Sequence, residues 1–453
     1  MEITTLLYLT AGTVGLELLV FGVLLARKGL FRWAGAGFWA WAAFGLYYVV
    51  NPFFVALTGN NLDRYVIRLE LSGGIPRGLW ILLVIVLGIG VFFWAYLRQS
   101  AAQSSFKTMP LSGEATPLHL LGVLILIFFL AFGFYSLVQF RTFSAEQEVL
   151  ITGGRFVGNV TGYQNNGYVF LFFPIAFFLL SSRGVLRLLG WGLAIAFLFL
   201  SLPHGWNRST LVSMLLLLTL TTVLNRKQRW PKIIWIATAF ALAAVLQMRG
   251  HEAWTYQEVP ALVTESLEKS VQNASEVLAA QDTVMLSTFY LESYVRDSIT
   301  GYQYGLPLLN YILTGWIPYR FLPQKYFIID WLQMRQPEIP LLIEQWLFGA
   351  KSTLFGDLYG NGWLLGIILG AWGLAYLHRK IDAGIQSPNL IIRAASAAVL
   401  AQMWLVWGSS AAWGLVRVGF ILVPAGALWL TNRWAERYQK QQLPYPDIYL
   451  KSE

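Results

Sequence analysis

The sequence contains no cysteine, which excludes disulfides, thiolate catalysis and iron–sulfur sites. It also contains no His-Glu-x-x-His, no Walker lysine loop and no Gly-x-Ser-x-Gly. The first polar loop, residues 58–78, lacks both an adjacent acidic pair and an Asp-x-Asp. A metal-dependent lipid-linked sugar transferase would need such carboxylates as ligands. We therefore expect a site that works without a metal or any other cofactor.

Charge is scarce as well: charged residues make up 12% of the chain, against about a quarter in soluble domains. Apolar runs long enough to cross a bilayer recur along the whole sequence. The predicted spans are eleven in number: 4–25, 33–57, 79–97, 118–139, 167–182, 188–202, 209–224, 233–248, 355–377, 390–407 and 413–430. The fold class predicted is all-α, a polytopic membrane protein with about eleven transmembrane helices. Charges follow the first run, so we expect a retained span and not a cleaved signal peptide.

Lysine and arginine divide unequally between the two sets of predicted loops. Eighteen lie in one set together with the C-terminal tail, and six lie in the short loops of the opposite set. The positive-inside rule places the first set in the cytoplasm, with the N-terminus outside and the C-terminus inside. The net charge of +9 is then explained by membrane anchoring, and no nucleic-acid partner is expected.

One connection is far longer than the others. The predicted organisation is residues 1–248 with transmembrane helices 1–8, 249–354 as a large external loop, 355–430 with helices 9–11, and 431–453 as a cytoplasmic tail. A loop of this length in a compact protein is usually functional. Residues 258–281 have the pattern of an amphipathic helix, and 290–346 are rich in aromatics, glycine and proline, which suits interfacial helices. The lack of an internal repeat weakens a repeat-built transporter.

Cations near the outer membrane boundary are the candidate binding residues. They are Arg141, Arg155, Arg208, Arg249, Arg296, Arg320, Lys325 and Arg417. Guanidinium and ammonium groups suit a phosphate, and a lipid pyrophosphate lies at this depth. The alternative for each is snorkelling or simple solvation in a loop. Arg417 lies inside a span, where a charge costs about 2.5 kcal/mol or more unless it is satisfied.

The pair Arg320 and Lys325 lies among aromatics between Pro318 and Pro323, which favours a positioned site. Candidate proton acceptors are His251 and Asp297, because each lies close to an arginine that could bind a leaving group. Reach to a sugar hydroxyl decides between such candidates, and a sequence does not show reach.

Four stretches resemble the Wzy-type polymerases of bacterial O-antigen, capsule and exopolysaccharide repeat units. They are "GWNRSTLVSMLLLL", "GGRFVGNVTGY", "IPYRFLPQK" and "STLFGDLYGNGWLLG". The family's Pro-Arg…Pro-x-Lys pattern is carried here by Pro318, Arg320, Pro323 and Lys325, with Tyr319 inserted between proline and arginine. The order and the topological positions of these stretches carry the resemblance, which spans most of the chain.

The resemblance implies a GT-C-like helical glycosyltransferase of the bacterial inner membrane with one large periplasmic loop. Such enzymes join oligosaccharide repeats carried on undecaprenyl pyrophosphate at the periplasmic face, without metal, and outer-loop arginines are essential. Donor and acceptor would both be lipid-linked oligosaccharides, beside membrane lipid. A chain-length regulator and a flippase are possible protein partners.

Three other functions stay open. An O-antigen ligase, which moves glycan to lipid A core, would share the donor and the chemistry. A lipid-linked oligosaccharide flippase or another transporter would need polar residues running through several spans, whereas nearly all of these spans are apolar. A structural membrane protein would leave the arginines at the mouths of separate spans unexplained.

Overall fold

The computed structural model describes most of the predicted spans and about half of the predicted external loop. The described residues are 2–100, 120–146, 150–152, 155–157, 167–201, 208–235, 284–314, 327–335, 337–347, 353–408 and 411–442, with Thr264 and Gln324 as single residues. The amphipathic helix predicted for 258–281 and most of the eighth span, 233–248, lie outside these residues.

The described part is almost wholly helical. The helices are α1 (Ile3–Arg27), α2 (Ala36–Thr58), α3 (Leu62–Leu71), α4 (Ile75–Ser100), α5 (Leu120–Glu146), α6 (Phe172–Leu179), α7 (Gly184–Ser201), α8 (Arg208–Asn225), α9 (Val284–Val295), α10 (Leu306–Thr314), α11 (Phe327–Arg335), α12 (Leu341–Leu347), α13 (Leu354–Ile385), α14 (Leu390–Gly408) and α15 (Ala411–Gln442). Two short strands, β1 (Leu150–Thr152) and β2 (Arg155–Val157), form an antiparallel pair.

Seven of the described helices are long and apolar enough to cross a membrane, by length and composition. They are α1, α2, α4, α5, α7, α13 and α15. Three further apolar helices are shorter, at Gly167–Leu179, Leu211–Asn225 and Leu390–Trp404. This architecture is that of a polytopic helical membrane protein, and the count of eleven spans stays a prediction.

The ends of the long helices lie on two opposite faces. At one face α1 and α4 begin, and a cavity of about 460 Å³ lies between them and α3, lined in part by Ile3, Leu69 and Ile75. At the other face α1 and α4 end, and Lys28 Nζ donates to the carbonyl oxygen of Leu97 over 2.9 Å. We call the first the loop face, because α9 packs there against α3, and the second the basic face.

A partly buried carboxylate joins three helices at the basic face. Asp382 of α13 accepts from the backbone N–H of Ala36 over 2.8 Å, and the Tyr96 hydroxyl of α4 also donates to it. Ala36 is the first residue of α2, where backbone N–H groups have no partner within the helix and where the helix dipole favours a negative charge. Arg379 adds a 2.8 Å hydrogen bond to the Tyr96 carbonyl oxygen. The ends of α2, α4 and α13 are thereby fixed to one another.

Helix α13 folds back on itself near its beginning. Gly362 (φ −171°, ψ 28°) and Trp363 (φ 54°, ψ −143°) are not helical. We call residues 354–361 the short arm and residues 364–385 the long arm. A Cβ atom at Gly366 would overlap the carbonyl oxygen of Leu358, so the two arms run side by side in opposite directions. The structure thus divides the span predicted at 355–377 at Gly362 and Trp363: the long arm continues to Asp382 at the basic face, and the short arm is a re-entrant segment.

The short arm begins deep in the bundle. A Cβ atom at Gly88, midway along α4, would lie 2.6 Å from the Phe355 ring, which also stacks on Phe44 of α2 with centroids 5.3 Å apart. Thr353 is 1% exposed, and its hydroxyl accepts from the N–H of Gly356 over 3.2 Å as an N-cap. Irregular backbone at membrane depth is tolerated where protein covers it. Protein side chains supply that cover here.

Three smaller differences from the sequence prediction concern the loops. Helix α3 lies within the predicted first external loop, where its apolar side, including the buried Tyr65 and Leu69, packs on the bundle. Strands β1 and β2 lie in another predicted outer loop and are a small departure from an all-α fold. Helix α15 continues to Gln442, so the predicted tail at 431–453 begins as helix.

Candidate functional site

The loop that follows α9 docks on the end of the short arm. After the π-helical turn Arg296–Thr300, Gly301 adopts φ +71°, and the chain turns toward α13. The backbone N–H of Gln303 donates to the carbonyl of Gly360 over 3.1 Å, and that of Gly305 donates to the carbonyl of Asn361 over 3.0 Å. The last carbonyls of a helix have no partner within the helix. The post-α9 loop therefore supplies the missing donors for the short arm.

Asp297 joins this loop to two helices. Its carboxylate forms an ion pair with Arg77 of α4 and accepts a hydrogen bond from the Tyr302 hydroxyl. The Tyr359 hydroxyl, on the short arm, lies 3.1 Å from each carboxylate oxygen. Trp80 of α4 in turn donates to the Tyr359 oxygen over 3.0 Å. Asp297 is thus held by one cation and two hydroxyls that come from three separate parts of the chain.

Tyr302 keeps its proton in this arrangement. Burial raises the pKa of its hydroxyl above the ordinary value, and the hydrogen bond to the Asp297 carboxylate raises it further. The hydroxyl therefore acts as a donor at neutral pH.

Arg296 lies against the backbone of the short arm. Its guanidinium donates to the Thr300 hydroxyl over 3.2 Å. The Gln303 amide oxygen, turned toward Arg296, accepts from Nη2 and Nη1 over 3.1 and 3.2 Å. A Cβ atom at Gly360 would lie 3.3 Å from a Glu292 carboxylate oxygen and 3.5 Å from Arg296 Nε. Nε itself is buried and has no hydrogen-bond partner among the described residues. We call Arg77, Arg296, Asp297, Tyr302 and Tyr359 the loop-face cluster.

Arg68 is a further buried cation at this face. It is 5% exposed and donates to the hydroxyls of Ser287 and Thr288 of α9 over 2.9 and 3.0 Å. Burial, and then the nearby charge of Arg64, lower the pKa of Arg68 to about 10, so it stays charged at neutral pH. Arg68 and Arg77 are two of the six cations in the short loops of the opposite set, and the positive-inside rule treats such cations only as topology markers. The amphipathic pattern of residues 62–71 was the signal that could have placed Arg68 on a buried helix face.

Arg417 lies in α15 and is 5% exposed. Its Nη2 donates to the Tyr168 hydroxyl over 2.9 Å, and its guanidinium carbon lies 5.9 Å from the centre of the same ring. The residue is therefore placed within the bundle and not at the lipid surface. Tyr168 belongs to the turn that precedes α6. This contact therefore joins that turn to α15, and neither element contributes a residue to the loop-face cluster.

The structure describes the other predicted site residues only in part. Arg141 lies in α5, Arg155 begins β2 and Arg208 begins α8, and only their backbone is described. The remaining four, Arg249, His251, Arg320 and Lys325, lie outside the described residues. Of the ten predicted residues, the structure places the sequence neighbours Arg296 and Asp297 beside the short arm and Arg417 against Tyr168. Within the described ranges no group of three or more acidic or histidine side chains is arranged to hold a metal ion.

Comparisons with known proteins add no assignment. No family model matches this chain, and no curated protein and no solved structure shows significant similarity to it. The resemblance to repeat-unit polymerases consequently stays a prediction.

Proposed function

We propose that this chain is a glycosyltransferase that polymerises oligosaccharide repeats carried on undecaprenyl pyrophosphate. The loop-face cluster is the observation that carries the proposal. Arg77 of α4 and the hydroxyls of Tyr302 and Tyr359 converge there on Asp297, and the neighbouring Arg296 packs against the end of the re-entrant short arm. Discontinuous helices line the substrate sites of many membrane transporters, so such a segment is compatible with a site for a polar substrate.

Charge separation explains why such a reaction would need these groups. As an acceptor hydroxyl attacks the anomeric carbon, negative charge develops on the departing lipid pyrophosphate. Fixed guanidinium groups in a poorly hydrated site stabilise that charge more than water does. Arg296, which packs against the short arm, is the described cation best placed for this role. Arg417, Arg141 and Arg155, together with Arg208, Arg249, Arg320 and Lys325, remain proposed contributors.

The proposed reaction takes place at the loop face, which the distribution of charges predicts to be the outer one. Localisation in a bacterial inner membrane, with a periplasmic N-terminus, follows from the same proposal. Both substrates would be held by the membrane, which converts their encounter into a matter of positioning.

Asp297 is better supported as a positioning residue than as the general base. Both of its carboxylate oxygens already accept hydrogen bonds, from Arg77, Tyr302 and Tyr359. A base needs an oxygen within reach of the acceptor hydroxyl. His251 remains the other proposed base.

The function is tested with purified protein in lipid nanodiscs and lipid-linked repeats extracted from cells that lack this gene. We expect a ladder of longer lipid-linked products that EDTA does not reduce. Transfer of glycan to lipid A core, without a ladder, would assign a ligase. Movement of unextended substrate across a vesicle membrane, with no new glycosidic bond, would assign a transporter, and either result overturns the proposal.

Asp297→Asn separates the two roles of that residue. An asparagine oxygen can still accept from a tyrosine, while the ion pair with Arg77 is lost, so we expect turnover to fall by less than about tenfold with an unchanged pH profile. Loss of a general base would cost about 10²–10⁴-fold and remove the acidic limb of the profile. The exposed Asp63→Asn on α3 is the matched control. A loss in the larger range for Asp297→Asn alone would make it the base.

A further inference from the structure

Two aromatic residues at the loop face have a backbone conformation that aromatic side chains rarely adopt. Tyr304 has φ +50°, and Trp363 has φ +54° with ψ −143°. A bulky residue at positive φ is strained, and the region near that of Trp363 belongs almost entirely to glycine. Strain of this kind persists where the surrounding structure holds it, and it clusters at functional sites.

The two strained residues belong to segments that are bonded to each other. Gln303 and Gly305, the residues on either side of Tyr304, donate their backbone N–H groups to the carbonyls of Gly360 and Asn361. These two carbonyls lie shortly before Trp363 in the chain. Both rings are accessible: Tyr304 is 78% exposed and Trp363 is 45% exposed. The fold therefore presents two exposed aromatic residues from one rim, each at a strained backbone position.

The rim is built from the same two segments as the loop-face cluster. Tyr302, two residues before Tyr304, donates to Asp297, and Tyr359, four residues before Trp363, contacts the same carboxylate. A ligand that contacted both the rim and the loop-face cluster would place an anionic group near Arg296 and a neighbouring group on the rings of Tyr304 and Trp363.

We propose that Tyr304 and Trp363 form a platform that stacks on the sugar rings next to the lipid pyrophosphate. This proposal rests on the proposed function. A pyranose has one face of C–H groups, whose slight positive charge suits the negative face of an aromatic ring. The platform would fix which ring of the repeat lies over the cluster, and so would contribute to specificity for the glycan.

Anchoring in the lipid interface is the competing explanation for exposed aromatics. An anchor needs only the right depth, which ordinary helical backbone provides. Trp331 on α11 and Trp372 on the long arm, 45% and 49% exposed, show this arrangement in the same chain. Anchoring leaves the strain at Tyr304 and Trp363 without a purpose, whereas a directed platform explains it.

The test uses substitutions that fit the backbone and remove the ring. Tyr304→Asn and Trp363→Gly suit positive φ, so neither adds strain. In nanodiscs, we would measure the affinity for two radiolabelled probes: lipid-linked repeats extracted from cells lacking this gene, and sugar-free undecaprenyl pyrophosphate. We expect each variant to bind the repeat about 3- to 10-fold more weakly, the range of a single aromatic contact, and to bind the sugar-free lipid unchanged.

Two further variants control for loss of an exposed aromatic ring and for loss of the Tyr304 hydroxyl. Trp331→Ala should change neither affinity, and Tyr304→Phe should retain the wild-type preference for the repeat. An unchanged affinity for the repeat in both platform variants overturns the platform, as does an equal loss for both probes, which would indicate a lipid anchor. Because this readout is binding, it stands whether or not the protein polymerises, and a missing ladder counts against the proposed function alone.

Discussion

Gly366→Ala is expected to destabilise this protein more than any other methyl-sized change in α13. The added Cβ would overlap the carbonyl oxygen of Leu358, which is backbone and cannot rotate away. The two arms would have to separate, and overpacking of this kind costs about 1–3 kcal/mol. We expect a lower melting temperature in detergent and a smaller yield of monodisperse protein.

The long arm itself supplies the control. Gly373 has no atom within 4 Å of the position that its Cβ would occupy. Alanine there should be neutral or stabilising by about 0.5–1 kcal/mol, since a helical glycine is replaced. Similar melting temperatures for Gly366→Ala and Gly373→Ala would contradict the folded-back geometry of α13.

Arg296→Ala is expected to reduce polymer formation by about 10²-fold or more. A donor aimed at developing negative charge is commonly worth about 10²–10³-fold in turnover. The affinity for the repeat should change less, because the charge is fully developed only as the pyrophosphate leaves. Single-turnover product formation, measured beside equilibrium binding, separates the two effects.

A matched arginine lies in the same external region. Arg335 is exposed on α11, and its guanidinium stacks on Trp331 at 4.6 Å. Arg335→Ala should leave turnover unchanged. That result would show that loss of a positive charge from this region does not by itself reduce turnover. Full activity of a folded Arg296→Ala would remove the loop-face cluster from the chemistry.

Hydropathy was sufficient to predict the long apolar helices. Residues 4–25 and 79–97 were predicted from apolar length alone, and α1 and α4 contain them. Bilayer thickness sets this length, so a single sequence carries the signal. The sequence also placed Arg296 and Asp297 among the candidates, because Arg296 is a cation near the predicted outer boundary and Asp297 lies beside it.

The re-entrant short arm and the cluster partners could not be predicted in the same way. The stretch from Leu354 onward is apolar on both sides of Gly362, so hydropathy describes one helix where the backbone makes two. Arg77 and Asp297 are 220 residues apart, and no local pattern links them. The charge rule counts each loop cation as a topology marker, which hid the burial of Arg68.

The capping of the short arm by the post-α9 loop has a consequence for biogenesis. The final carbonyls of the short arm accept from the amides of Gln303 and Gly305, which are synthesised before residues 354–361. At eight residues the segment is too short to remain helical alone. We therefore expect it to adopt its final position late, after the helices around it have packed.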